Sequence, residues 1–340
     1  MHQPAYEYDR GMQIPYQEQA CRIESAREAL LALPFTFEIQ PDLLLKDEHI
    51  TRVHSRALLE HLRQRSLFAE QQEPFIGQED VYHYPWIFPL NPRMQTGLLK
   101  SPDNAGCYAF DTYAPIGKNT FKAVFASANL AHCAAQTIIQ QDNRIAYALC
   151  RPPGHHAARD MLGGYCYLNN AAIAASHLKQ ALGKGAILDI DYHHGNGSQD
   201  IFWDDPELLF ISIHADPNDE YPFFAGYADE QGGELALGVN INLPLPKGCE
   251  DEMYLTALDQ ALNAIREYQP NWLVLSAGYD TCQADPSTFF NLSDAFYTEI
   301  GKRIGQLNVP MVIVHEGGYA VEQNGILAAR LISGIVDSFA

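Results

Sequence analysis

A chain of 340 residues, 47% of them hydrophobic, is long enough to bury a large core and too apolar for general disorder. Its 22 Lys plus Arg stand against 42 Asp plus Glu, and the net charge of -20 repels phosphate backbones while drawing in cationic molecules, so no nucleic-acid partner is expected. No apolar run approaches the ~18 residues needed to span a bilayer, and residues 1–11 lack an apolar signal segment.

Seven scattered cysteines form no Cys-x-x-Cys pair, which suits reduced thiols in the cytoplasm, and the lack of a long apolar run leaves no membrane partner expected. Residues 17–33 and 47–66 read as amphipathic helices, the second from Ile50, Val53, Ala57, Leu58 and Leu62 at helical spacing. Between 68 and 116, Pro74, Pro85, Pro89, Pro92, Pro102 and Pro115 interrupt regular structure, with Tyr82, Tyr84, Trp86, Phe88, Tyr108 and Phe110 among them. A loop of that length and aromatic content is either functional or an irregular wrap over the core.

From 120 onward the pattern alternates. Helices are expected at 120–140, 169–182, 250–267, 293–307 and 323–338, and strands at 145–150, 186–190, 208–213, 239–243, 272–277 and 309–314. Near-continuous apolar strands require a mostly parallel sheet covered by helices on both faces. The chain therefore reads as a single α/β domain over residues 1–340, with 68–116 as a loop insertion.

In such sheets ligands bind beyond the carboxyl ends of the strands. Polar clusters fall at four of those ends: Arg151-Pro-Pro-Gly-His155-His156, Asp191-Tyr-His193-His194-Gly-Asn196-Gly, Gly278-Tyr-Asp280 and His315-Glu316-Gly-Gly-Tyr319. Asp189, Asp191 and His193 alternate along one face of an extended segment. Asp191 and His193, with Asp280 from a neighbouring strand end, supply hard and borderline donors that leave positions open. This donor set suits catalytic zinc, with ferrous iron the close competitor. His155 and His156 follow a rigid Pro-Pro-Gly turn and can exchange protons near neutral pH, with Asp189 and Asn196 fixing their tautomers. Tyr319, after two glycines, can turn a phenol toward a developing oxyanion.

Five ordered motifs resemble the zinc-dependent deacetylases, the family of histone deacetylases, acetoin-utilisation proteins and acetylpolyamine amidohydrolases. They are Arg151-Pro-Pro-Gly-His-His156, Gly164-Tyr-Cys-Tyr-Leu-Asn-Asn170, Asp189-Ile-Asp-Tyr-His-His-Gly-Asn-Gly197, Ser276-Ala-Gly-Tyr-Asp280 and Glu316-Gly-Gly-Tyr319, with weaker similarity at Val53-His-Ser55. The resemblance implies the arginase–deacetylase fold and zinc held by Asp191, His193 and Asp280. It makes His156 the general base and acid, His155 its electrostatic partner and Tyr319 the carbonyl-polarising phenol. Gly164, Tyr165 and Phe224 would line a narrow tunnel, and Asp189 and Ser212 would match a structural potassium site. Asn196 stands where some members carry Asp, which should alter the basicity of His156.

Within the family, the stretches Tyr221-Pro-Phe-Phe224-Ala-Gly-Tyr-Ala228 and Asp285-Pro286 resemble the bacterial acetylpolyamine amidohydrolase branch. The 68–116 region is similar to the insertion that pairs subunits there, implying a homodimer. Glu79, Asp80, Asp103 and Asp111 are candidates for rim carboxylates that meet a distal ammonium. The expected reaction is removal of acetyl groups from small N-acetylated amines, with acetyl-lysine proteins the alternative substrate. An arginase-like ureohydrolase with two manganese ions fits less well, because the next acid after Asp280 is Asp285 and the paired histidines and Tyr319 would have no role. A binding protein that keeps the pocket without turnover is the non-enzymatic alternative.

Overall fold

The structure, a computed structural model, describes residues 2–73, 80–88, 93–94, 106–141 and 143–339. Six strands form an all-parallel sheet: β5 (Ile145–Ala148), β6 (Gly185–Asp189), β7 (Leu208–Ala215), β8 (Asn240–Leu245), β9 (Leu273–Ala277) and β10 (Met311–His315). Their order across the sheet is β5-β10-β9-β6-β7-β8. From β6 the chain winds outward through β7 and β8, then returns to lay β9 on the other side of β6. The topological switch point thus lies between β6 and β9, the position at which open α/β sheets bind ligands.

Period-two alternation divides the strands between two cores. Ala186, Leu188, Leu273, Leu275, Met311 and Ile313 pack on one face with α1 (Cys21–Leu31), α7 (Asp251–Tyr268), α8 (Phe296–Gly305) and α9 (Val321–Ser338). Ile187, Val274, Val312 and Val314 pack on the other with α3 (Arg56–Glu70), α4 (Thr120–Ile139) and α5 (Asn170–Leu182). Both faces are buried, so the strands carry continuous apolar runs.

Three local features depart from the periodicity. The helix expected over 47–66 is two helices, α2 (Asp47–Ile50) and α3, because Ser55 caps α3 by accepting from Leu58 N–H at 3.1 Å. The interrupted stretch gives His54 to the loop behind the site, where its two ring nitrogens meet Ala158 O and Asn169 N–H. The N-terminal residues form a hairpin, β1 (Tyr6–Asp9) with β2 (Met12–Pro15), closed by Arg10 and Gly11 at φ 48° and 81°. That positive pair is the two-residue hairpin turn. The third feature is a further helix, α6 (Asn196–Phe202), which begins inside the cluster following β6.

The described part of 68–116 begins in the last turn of α3 and contains β3 (Tyr82–His83), paired with β4 (Ile116–Gly117). All seven cysteines are free thiols. Among the described residues, no helix is long and apolar enough to cross a membrane.

Candidate active site

Four adjacent strands, β5, β10, β9 and β6, deliver the four polar clusters to one end of the sheet. The ligand atoms of Asp191, His193 and Asp280 all lie within 4.8 Å of one another. Backbone donors fix both carboxylates. Asp191 Oδ1 accepts from His193 N–H at 2.9 Å, its Oδ2 from Gly317 N–H at 2.8 Å, and Asp280 Oδ1 from Tyr192 N–H at 2.9 Å. Asp280 Oδ2 is buried without a hydrogen-bond partner, and His193 Nδ1 faces it at 3.2 Å. Two buried carboxylates and an imidazole aimed at one point, with an oxygen left over, are the donor set of a divalent cation. Among the described residues this is the one group that could hold a metal.

The paired histidines sit beside it. Glu316 Oε2 accepts from Gly154 N–H at 2.7 Å and His155 N–H at 3.2 Å, so the end of β10 holds the turn after β5. The rings of His155 and His156 lie 4.0 Å apart between centroids, tilted by 44°, and His156 lies 6.0 Å from the His193 ring. His155 Nδ1 meets Asp189 Oδ2 at 3.0 Å, whereas His156 Nδ1 meets the neutral Asn196 Oδ1 at 2.7 Å. Burial disfavours the cation on both rings, but Asp191 and Asp189 overcome it at His155 and push its pKa up to about 10. Burial, then His155 and His193, hold His156 well below the ordinary value. The two carboxylates thus favour the cation on His155, whereas the surroundings of His156 favour its neutral form.

Tyr319 follows Gly317-Gly318 at the end of β10. Its N–H donates to Asp285 Oδ2 at 2.5 Å, as does that of Ala320 at 2.9 Å. Asp285 therefore orders the tyrosine loop, and it is not among the residues that could hold the cation. The Tyr319 ring lies 4.8 Å from the Arg22 guanidinium on one side and 5.7 Å from the Tyr165 ring on another. Arg22 is itself buried, bound to Glu18 at 2.7 Å, to Glu316 O at 2.6 Å and to Gly318 O. Burial pushes the Tyr319 phenol up, so it remains a proton donor at neutral pH.

Gly164 takes φ +52°, and a Cβ there would meet His156 Cδ2 at 2.4 Å. Its N–H donates to Asp111 Oδ2 at 2.8 Å, and Tyr165 O–H donates to Glu7 Oε1 at 2.9 Å. Phe224 is 57% exposed and packs edge-on against Phe110 at 5.3 Å. The wall is completed by Tyr221, 5.0 Å from the His156 ring and 5.9 Å from that of His193. Tyr221, Glu7, Asp111 and Glu316 were not assigned these places from sequence. The signals were a tyrosine heading Tyr221-Pro-Phe-Phe224 and acids within tyrosine-rich stretches.

The acids expected at the rim have other partners. Asp111 is half-buried and accepts from Gly164 N–H, from Tyr221 O–H at 2.5 Å and from Tyr113 N–H at 2.9 Å. Asp80 pairs with Lys118. Glu79 and Asp103 lie outside the described residues. His194 turns away from His193, toward Asn242 at 3.2 Å and the His214 ring at 4.5 Å. Asp189 and Ser212 are register partners of β6 and β7, and the Ser212 hydroxyl lies 2.8 Å from His214 Nδ1.

Comparison with known proteins gives one consistent result. The family described as histone deacetylase domain matches residues 16–335. Acetylpolyamine amidohydrolase 2 of Pseudomonas aeruginosa is 40% identical over 340 residues, covering 98% of this chain and 95% of that protein. Acetylpolyamine amidohydrolase 1 of the same organism is 50% identical over 230 residues, covering 67% of this chain and 66% of that protein. The crystal structure of an acetylpolyamine aminohydrolase from Burkholderia pseudomallei superposes with a TM-score of 0.90 at 35% identity, over 99% of this chain and 96% of that one.

Proposed function

The chain belongs to the histone deacetylase domain family, and on that premise we propose that it hydrolyses the acetyl amide of small N-acetylated amines, acetylated diamines and polyamines foremost. The observation that carries the reading is the juxtaposition of the Asp191, His193 and Asp280 donor group, its two carboxylates buried, with the neutral His156. Zinc, with ferrous iron second, would be held by those three residues and would supply Lewis acidity toward the amide carbonyl. A structural potassium ion beside Asp189 and Ser212 belongs to the same reading.

The remaining chemistry falls to the protein's own groups. His156 donates Nδ1–H to Asn196 and so presents Nε2 as the base that takes a proton from the attacking water. The same ring then returns a proton to the leaving amine, beside the fixed positive charge of His155. Tyr319 donates its phenolic hydrogen as negative charge builds on the carbonyl oxygen. Tyr319→Phe should therefore lower kcat by about 10²–10³-fold, and turnover equal to wild type would refute that role.

Support for a cationic substrate comes from the acids that pack beside the tyrosines around the site. Glu7, Asp9 and Asp111 lie among Tyr113, Tyr165 and Tyr221, linked by Tyr113 O–H to Asp9 at 2.7 Å and by Tyr165 O–H to Glu7 at 2.9 Å. Carboxylates and aromatic faces together favour an ammonium group, as does the net charge of -20. The names of the relatives agree with this class of amine. Action in the cytoplasm as a homodimer paired through 68–116 completes the proposal, with Trp86 and Phe88, 75% and 45% exposed, as apolar contacts for a second copy.

The test is acetate release from N-acetylputrescine, N-acetylcadaverine, N-acetylspermidine and an acetyl-lysine peptide, with bound metal quantified in the same preparation. Higher kcat/KM for the small amines is expected. A preference for the peptide would reassign the enzyme to acetyl-lysine proteins, and no acetate from any substrate would overturn hydrolysis.

A further inference from the structure

The loop that carries Tyr221 and Phe224 is not held by burial of its tip, since Phe223 and Phe224 are 49% and 57% exposed. Its far end, Gly226 to Glu230, is fastened instead by a polar clamp. Glu230 Oε2 accepts from Gly226 N–H at 2.8 Å, from Gln199 Nε2 at 2.8 Å and from Asn242 Nδ2 at 3.1 Å. Asn240 Nδ2 reaches Glu230 O at 2.7 Å, and Asn242 Nδ2 reaches Tyr227 O at 3.1 Å. Gln199 Oε1 accepts from both asparagines, at 3.0 and 2.8 Å.

Gly226 is held at both of its polar groups, because its carbonyl lies 2.9 Å from His214 Nε2. At φ +109° a Cβ there would come within 2.8 Å of that nitrogen and 2.9 Å of His194 Cγ. The clamp thus joins the loop to β7, to β8 and to α6. Gln199 lies on α6 three residues beyond Asn196, the group that orients His156.

One carboxylate oxygen therefore links the wall facing the substrate to the helix facing the base. We propose that Glu230 is a positioning residue for binding of the acyl amine: it sets the Tyr221–Phe224 wall relative to α6. The inference rests on the amidohydrolase reading of the site. Glu230→Gln is the conservative variant, since an amide carbonyl can replace Oε2 as a neutral acceptor of the same three donors. Glu230→Ala removes the acceptor and frees the loop.

The experiment measures kcat and KM of zinc-loaded wild type, Glu230→Ala and Glu230→Gln on N-acetylputrescine and on an acetyl-lysine peptide, with metal content and melting temperature alongside. Glu230→Ala should raise KM about tenfold and more than it lowers kcat, with bound metal retained, and Glu230→Gln should recover most of that loss. An unchanged KM in a folded Glu230→Ala protein, a fall in kcat alone, or failure of Glu230→Gln to recover KM would overturn the proposal. Should Glu230→Ala fail to fold, Gln199→Met removes the bridging amide while sparing the Gly226 bond. A raised KM supports the clamp and an unmoved KM overturns it. If wild type hydrolyses neither substrate, the functional reading falls separately. The clamp is then read calorimetrically from binding of N-acetylputrescine, with about tenfold weakening expected in Glu230→Ala and equal affinity overturning it.

Discussion

Asn196 Oδ1 stands 2.7 Å from His156 Nδ1, while the adjacent His155 gives its own Nδ1 to the carboxylate of Asp189 at 3.0 Å. Two consecutive imidazoles thus receive acceptors of different charge. A carboxylate beside an imidazole favours its cation, and a neutral amide holds the tautomer without doing so. Asn196→Asp should raise the pKa of His156 and move the acidic limb of kcat/KM to higher pH. Asn196→Leu should lower kcat about 10–100-fold by releasing the ring. A pH profile unmoved by Asn196→Asp would show that His156 is not the titrating base.

The parallel sheet and the four loop clusters were legible because they rest on short-range patterns. Continuous apolar runs mark buried strands, and each run ends in residues that no core would hold, such as Asp191 after β6 and Asp280 after β9. The Asp9-Arg10-Gly11 hairpin was missed because its strands have four residues each and the alternation is short. The break at Ser55 was hidden by hydrophobic spacing that passes through it unchanged, although Ser before an apolar stretch is a capping signal. Asp111 illustrates a deeper limit. An acid in that stretch fits a rim carboxylate, but the donors that engage it, Gly164 and Tyr221, lie 53 and 110 residues away in the chain. Pairings over such distances are decided by tertiary packing, which periodicity does not encode.

The fold should weaken in mild acid because His54 is fully buried as a neutral ring. Its two nitrogens meet Ala158 O at 2.9 Å and Asn169 N–H at 2.8 Å, so one donates and the other must accept. A second proton would remove that acceptor. Burial lowers the pKa from 6.5 to about 4. The unfolded chain therefore binds a proton that the folded chain refuses. Stability from this group is present above pH 6.5 and declines as pH falls toward 4, by about 3 kcal/mol in all. Melting temperatures of wild type and His54→Gln between pH 7 and pH 4 measure it. The wild-type curve should be the steeper, and parallel curves would exclude His54 as the source.

Removal of metal should expose a repulsion that the cation otherwise neutralises. Asp191 and Asp280 are both buried and face the same point, and burial, then Asp191, pushes the Asp280 carboxyl up to about 7. Chelation of wild type should lower its melting temperature, since a ligand bound only by the folded state stabilises it. Asp280→Asn removes one of the like charges at nearly constant shape. It should bind little metal, gain nothing from added zinc, and melt above metal-stripped wild type at pH 8. Metal content equal to wild type would rule out Asp280 as a ligand, and a melting temperature below the stripped protein would refute the repulsion.

Gly164→Ala separates positioning from stability. The backbone at Gly164 lies at φ +52°, where an alanine pays roughly 1 kcal/mol in folding. The added Cβ would also stand 2.4 Å from His156 Cδ2 and 2.8 Å from Tyr221 O–H. Neither neighbour is the far end of a flexible chain: the imidazole is fixed by Asn196 and the phenol by Asp111. The base must therefore move, and a displacement of ~1 Å at a reacting group costs about 10²-fold in rate. The variant should fold, retain metal through Asp191, His193 and Asp280, and lose about 10²-fold in kcat/KM. Wild-type kinetics in a folded variant would mean that the ring can retreat without penalty, and that the close approach of Gly164 to His156 has no part in catalysis.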